Sequence, residues 1–191
     1  MALLHRASIS PTKLELVAAW LPTRDWYPGT TVPADLERVA TARFDDPAGA
    51  VGVEVFVVRS GDGPLLHTPM TYRGAPLDGA EDRLIGTTEH SALGRRWVYD
   101  AVGDPVFTAC AAEAIRTSGH QAEEYFEVDG VRQAREPLMS LRGTGGDGEN
   151  LVVRRVLDRT PASGPALIGT WAGPLTGTWA EPVVLAELRA C

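Results

Sequence analysis

Val51-Gly52-Val53-Glu54-Val55-Phe56-Val57-Val58, then Asp62-Gly63-Pro64, then the run from Leu65 to Tyr72 together decide the fold class. The first run is rich in β-branched residues, Asp-Gly-Pro supplies turn chemistry, and the second run is extended, so the three read as an antiparallel hairpin. Downstream, Leu84 to His90 and Arg95 to Tyr99 form a second pair of extended runs, broken by Ser91 to Gly94. Gly94 can take the positive φ that a tight connection needs. Upstream, the strand signal begins at Leu36, after a Thr23 to Pro33 stretch that Pro and Gly punctuate as a loop.

The clearest helix follows the second hairpin. Asp104-Pro105 offers an N-cap with proline at the first helical position, and Val106, Phe107, Cys110, Ala111, Ala114 and Ile115 lie close to one helical face before Ser118-Gly119. Nearer the N-terminus, Leu3 to Ile9 reads as an opening strand, with Ser10 as N-cap and Pro11 as first residue of a helix. Leu14, Val17, Ala18 and Leu21 recur at helical spacing, while Lys13 to Leu16 also alternates as a strand would, and Pro22 stops either.

Beyond Gly119, Glu124 to Val128, Leu151 to Leu157 and Val183 to Leu188 read as strands, with Gly143 to Gly148 as a hairpin loop. Thr160 to Pro182, dense in Gly, Pro, Thr and Ala, reads as a loop-rich crossing before the closing strand. Leu84-Ile85-Gly86-Thr87 returns as Leu167-Ile168-Gly169-Thr170, an echo too short to establish a repeat. Hairpin-length turns and the lack of βαβ alternation point to an α+β fold, a curved and largely antiparallel sheet packed on one main helix. The expectation is one domain over residues 1–191.

Composition bounds the function. A chain of 191 residues with 44% hydrophobic content can bury a core without disulfides, and its formal charge of −7 with a single lysine, Lys13, excludes a nucleic-acid footprint. Cys110 and Cys191 form no disulfide framework, and no run approaches a membrane span, so the expected place is the cytoplasm, with no membrane partner. Phosphate-binding and kinase motifs are missing, scattered His5, His67, His90 and His120 make no metal pattern, and no Gly-x-Ser-x-Gly elbow occurs. No catalytic, cofactor-binding or metal residue is therefore assigned.

The densest candidate surface is Tyr72, Arg73, Glu89, His90, Arg95, Arg96, Trp97, Tyr99 and Asp100. In a hairpin, Glu89, His90, Arg95 and Asp100 can converge as acid, base and charge partner. Equally, Arg95 or Arg96 can pair with Glu89 across the strands while Trp97 and Tyr99 pack.

Thr71-Tyr72-Arg73-Gly74-Ala75-Pro76-Leu77, with the unbroken run from Leu84 through Thr87-Thr88-Glu89-His90 and Gly94-Arg95-Arg96-Trp97-Val98-Tyr99 to Asp100, resembles the signature of the maltokinase N-terminal cap domain. Ala2 to Ala7 and Pro11 to Leu16 also resemble that family's start. The resemblance implies a curved antiparallel sheet around a helix, similar to cystatins. In that family the cap precedes a two-lobed, eukaryotic-kinase-like domain that phosphorylates maltose or an amino sugar with ATP and magnesium. That domain is not expected within this chain, so what transfers is a fold and an association with α-glucan or trehalose–maltose metabolism, without an activity.

Two expectations follow. The first is a stand-alone cap with no cofactor that regulates a sugar kinase or an α-glucan enzyme by protein contact, through a strand edge or its Trp-bearing loops. The second is a small-carbohydrate module or cryptic carbohydrate-active enzyme, using the Glu89, His90, Arg95 and Trp97 region, with Trp20, Trp26, Trp171 and Trp179 as further stacking surfaces.

Overall fold

The computed structural model describes residues 2–4, 8–128, 131–172 and 182–190. Its strands and helices in chain order are β1 (Ala2–Leu4), β2 (Ile9–Ser10), α1 (Lys13–Trp20), β3 (Leu36–Phe44), β4 (Gly52–Ser60), β5 (Leu65–His67), β6 (Met70–Arg73), β7 (Leu84–His90), β8 (Gly94–Asp100) and α2 (Pro105–Arg116). After α2 come β9 (Glu124–Val128), β10 (Val131–Arg135), β11 (Ser140–Gly143), β12 (Asn150–Val153), β13 (Val156–Leu157), β14 (Ala166–Thr170) and β15 (Val183–Arg189).

β4 organises the fold because it is buried on both faces. Val53, Val55 and Val57 point into one core, and Phe56 and Val58, displaced by one residue, point into another. β3 lies antiparallel on one side of β4; on the other, β5 and β6 take its two halves, as one strand interrupted at Thr68-Pro69. β6 then pairs β8, and β8 pairs β7 in the expected hairpin, with Gly94 at φ +70°. The result is a curled antiparallel sheet.

α2 fills the curl. Phe107, Ala111, Ala114 and Ile115 pack against the Val53 face of β4 and against Leu141, Leu167, Leu185 and Leu188 of a second sheet, ordered β11-β14-β15-β12. Burying Phe107 or Ile115 is worth roughly 1.5–3 kcal/mol each. A third, small sheet joins β1, β9 and β10. α2 is thus a layer between two sheets rather than a cover on one.

α1 takes the opposite face of β4. Leu16, Val17 and Trp20 bury against Phe56, Val58, Met70 and Val98. Its N-cap is Thr12, not Ser10: Thr12 accepts from the Glu15 backbone N–H while the Glu15 carboxylate reaches back to the Thr12 N–H at 2.7 Å. Ser10 belongs instead to β2, paired with Glu89.

The C-terminal region departs most from expectation. Leu151 to Leu157 is two strands that join different sheets. Gly143 to Gly148 is not a hairpin loop, since β11 and β12 lie at opposite edges of their sheet. The expected loop from Thr160 to Pro182 contains a central strand, β14, ending beside the buried Trp171, while residues 173–181 lie outside the described residues. The Leu-Ile-Gly-Thr echo therefore marks two strands, β7 and β14, in separate sheets.

Candidate functional site

The candidate side chains sit on β6 and on the β7–β8 hairpin, and the alternation of these strands divides them. Cross-strand pairing of Arg73 with Trp97, and of Trp97 with Thr87, sets those three on one face. Tyr72 pairs with Val98, and Thr88 with Arg96, on the other.

At the hairpin tip, Arg95 Nε donates to Glu89 Oε1 at 2.9 Å, with both side chains about three-fifths exposed. Beside them His90 Nδ1 accepts from the backbone N–H groups of Ala92 and Leu93, and Arg96 donates to the Leu93 carbonyl, so both brace the turn. Asp100 is remote from this group, because five residues of extended chain separate it from Arg95 by roughly 17 Å. Its buried carboxylate meets the Arg155 guanidinium at 2.5 Å and lies 4.0 Å from that of Arg83. Glu89, His90, Arg95 and Asp100 do not converge, and the cross-strand ion pair is the reading that holds.

Arg73 and Tyr72 each enter a buried network whose other members sequence reasoning missed. Arg73 grips Asp104 with two bonds of 2.7 Å, and Thr71 Oγ1 donates to the same carboxylate at 2.7 Å. Burial alone would push the Asp104 carboxyl up, but the bonds from Arg73 and Thr71 hold it below its ordinary value. Asp104 also caps α2 through the Val106 N–H, so one side chain ties the β-sheet to the helix.

On the opposite face, Tyr72 Oη donates to Glu54 at 2.8 Å, beside the Lys13 ammonium and the Thr41 hydroxyl. Burial would raise the Glu54 carboxyl, yet Lys13, Arg43 and the hydrogen bonds of Lys13 and Thr41 bring it down to about 2. Burial and then Glu54 push the Tyr72 phenol up. Tyr99, nearly buried, accepts from the Leu77 N–H at 2.9 Å and holds the loop after β6.

No aromatic platform forms among the described tryptophans. Trp20 and Trp171 are buried, Trp26 packs edge-on to Trp20 with the Arg155 guanidinium over its ring, and Trp97 is half-buried on the other face of the sheet. Trp179 lies outside the described residues. Two clefts flank α2 instead, one of about 980 Å³ beside the Asp45–Ala48 turn and one of about 480 Å³ beside Glu149, and no candidate side chain lines either.

The curled sheet, with α1 on one face and α2 on the other, is now in place to be compared with known proteins. Residues 20–104 match the maltokinase N-terminal cap domain family. The matched cap segment runs from the last residue of α1 to the N-cap of α2, and holds every candidate side chain together with Glu54 and Asp104. No curated protein matches the chain.

Within and beyond the matched segment, the described residues include no group of three or more His, Cys, Asp or Glu that could hold a metal ion, and no helix long and apolar enough to cross a membrane. The signals that could have found the missed members were the Asp104-Pro105 cap and the solitary Lys13. Their partners, 31 and 41 residues away, were not readable from spacing.

Proposed function

We propose that this chain is a non-catalytic accessory protein of sugar-kinase metabolism, acting by protein–protein contact on a sugar kinase or an enzyme of α-glucan and trehalose–maltose metabolism. The match of residues 20–104 to a maltokinase cap supports the association. The observation that carries the non-catalytic reading is how the cap segment holds its buried ionisable groups. A general acid or base working near neutrality needs a pKa drawn towards 7. Glu54 is held at about 2 and Asp104 is pushed down, both locked to cations, and burial followed by the Arg155 charge pushes His67 down to about 3. These groups stay in one protonation state across the physiological range, which suits a scaffold.

The test is affinity capture of the tagged full chain from its native lysate, with partners identified by mass spectrometry and maltose phosphorylation then assayed with and without added chain. Recovery of a sugar kinase or α-glucan enzyme whose rate changes on addition is the expected result. Phosphoryl transfer to a sugar by the purified chain alone would overturn the reading, as would a lysate that yields no such partner.

A further inference from the structure

The geometry points to the larger cleft beside α2 as a docking groove for a basic, amphipathic segment of a partner protein. This rests on the accessory reading above and names the surface and the chemistry that would serve it.

The groove encloses about 980 Å³, and its two walls have different origins. One is the turn after β3, inside the cap segment; the other is α2 and the chain that follows it, beyond residue 104. Its floor is apolar: Phe44, Val106, Ala109, Cys110 and Ala114 line it. α2 presents this flank because its larger side chains, Phe107 and Ile115, point the other way into the core between the sheets. Small side chains on a helix flank leave room for another chain's anchors.

The rim is acidic. Asp45, Asp46, Glu113 and Glu123 line the groove, and Arg116, the cation among its described lining residues, is drawn elsewhere. Arg116 donates to the Gly148 carbonyl at 2.9 Å, on the side of the smaller cleft, and the His120 ring lies 3.2 Å from the Leu141 carbonyl. The Asp46 carboxylate is fixed in place by the backbone N–H groups of Ala48, Ala50 and Val51. Burial first, and then the charges of Asp46 and Asp45, push the Cys110 thiol in the floor up.

Charge and shape together select the occupant. An acidic segment would be repelled by the rim, and a purely apolar one would cover the Glu113 and Glu123 carboxylates without pairing them, which costs free energy. A segment with apolar anchors flanked by Arg or Lys satisfies both. A sugar is disfavoured, because an alanine-lined floor offers few of the convergent polar groups that would fix its hydroxyls. The formal charge of −7 adds long-range steering of a basic partner.

The probe is a fluorescein-labelled helical peptide with leucines at i, i+3 and i+4 and arginines between them, set against the same peptide with glutamates. Anisotropy is measured on the full chain and on two surface variants, Ala109→Arg and the double Glu113→Gln, Glu123→Gln, each first checked for an unchanged melting temperature. Binding of the arginine peptide alone, weakened roughly tenfold or more by either variant, is expected. No binding of the arginine peptide, equal binding of the glutamate peptide, or binding indifferent to Ala109→Arg would overturn the groove. If the peptide fails while a sugar kinase is still captured from lysate, the groove is wrong and the accessory reading stands; if the peptide binds in the groove and no sugar-metabolic partner is found, the reverse holds.

Discussion

Lys13 Nζ lies 2.5 Å from Glu54 Oε2, so the chain's single lysine is bound to a carboxylate that β4 buries. The pair joins α1 to the sheet across the smaller of the two cores. Removing one member strands the other in a site too dry for a lone charge. Glu54→Leu and Lys13→Met are each expected to lose about 3–5 kcal/mol in urea unfolding, with the double variant losing less than either, since both charges then leave the interior. Additive losses in the double-mutant cycle would show that the two groups do not act as a pair.

His67 and Glu54 should produce an acid limb in two stages. His67, fully buried, has its pKa lowered to about 3 by burial and the Arg155 charge, against an ordinary 6.5. The unfolded chain therefore binds a proton that the folded chain refuses, and stability falls as pH drops below about 6.5. Glu54 adds its own loss below its ordinary 4.5, continuing to about 2. Between pH 6.5 and 4.5 the histidine alone should cost on the order of 2–3 kcal/mol. A His67→Gln variant should be flat in that window while keeping the lower stage, as followed by urea midpoints at half-unit pH steps. An equally steep upper stage in the variant would assign it to another group.

What could be read in advance was local. Val51 to Val58 announces a strand because β-branched residues crowd it, Gly94 has the one backbone freedom its turn needs, and Asp104-Pro105 is a cap that depends on nothing distant. The Glu89–Arg95 pair was within reach for the same reason, both residues belonging to one hairpin. Ser10-Pro11 misled as a cap because Thr12, one residue further on, forms the capping box with Glu15. β14 was hidden because Ala166-Leu167-Ile168-Gly169-Thr170 becomes a strand only through β11 and β15 on either side. The networks around Asp104 and Asp100 were hidden likewise, Asp100 meeting a cation 55 residues away.

Asp104 carries two loads, the Arg73 ion pair and the cap of α2, and the substitutions that separate them are available. Asp104→Asn keeps a side-chain oxygen for the Val106 N–H but breaks the charge pair with Arg73. Asp104→Ala loses both, and the cap adds about 1 kcal/mol to the cost of breaking the pair. Thermal melts should rank wild type above Asp104→Asn above Asp104→Ala, with a total loss of about 4 kcal/mol for the alanine. By contrast, Glu89→Ala or Arg95→Ala at the exposed tip should change stability by less than about 1 kcal/mol, because that pair sits in water. A large loss at the tip and a small one at Asp104 would invert the assignment.

Gly143 is where the second sheet presses on α2. A Cβ built there would stand 1.8 Å from the Ala114 carbonyl oxygen and 2.8 Å from the Ile115 Cα, both backbone atoms that cannot turn aside as a side chain can. The same contact is held by hydrogen bonds, Gly143 N–H to the Gly119 carbonyl at 2.9 Å and Gly145 N–H to that of Ile115 at 2.9 Å. Gly143→Ala must therefore push β11 away from α2, opening the Leu141 and Ile115 contacts in the larger core. The expected cost is at least about 3 kcal/mol, in the range of severe core disruption, read as a lowered urea midpoint. Gly49→Ala is the control, for its φ of +70° strains an alanine but nothing lies within 4 Å of the added carbon, so its loss should stay near 1 kcal/mol. A Gly143→Ala protein as stable as the Gly49→Ala control would mean that the helix and the second sheet do not meet this closely.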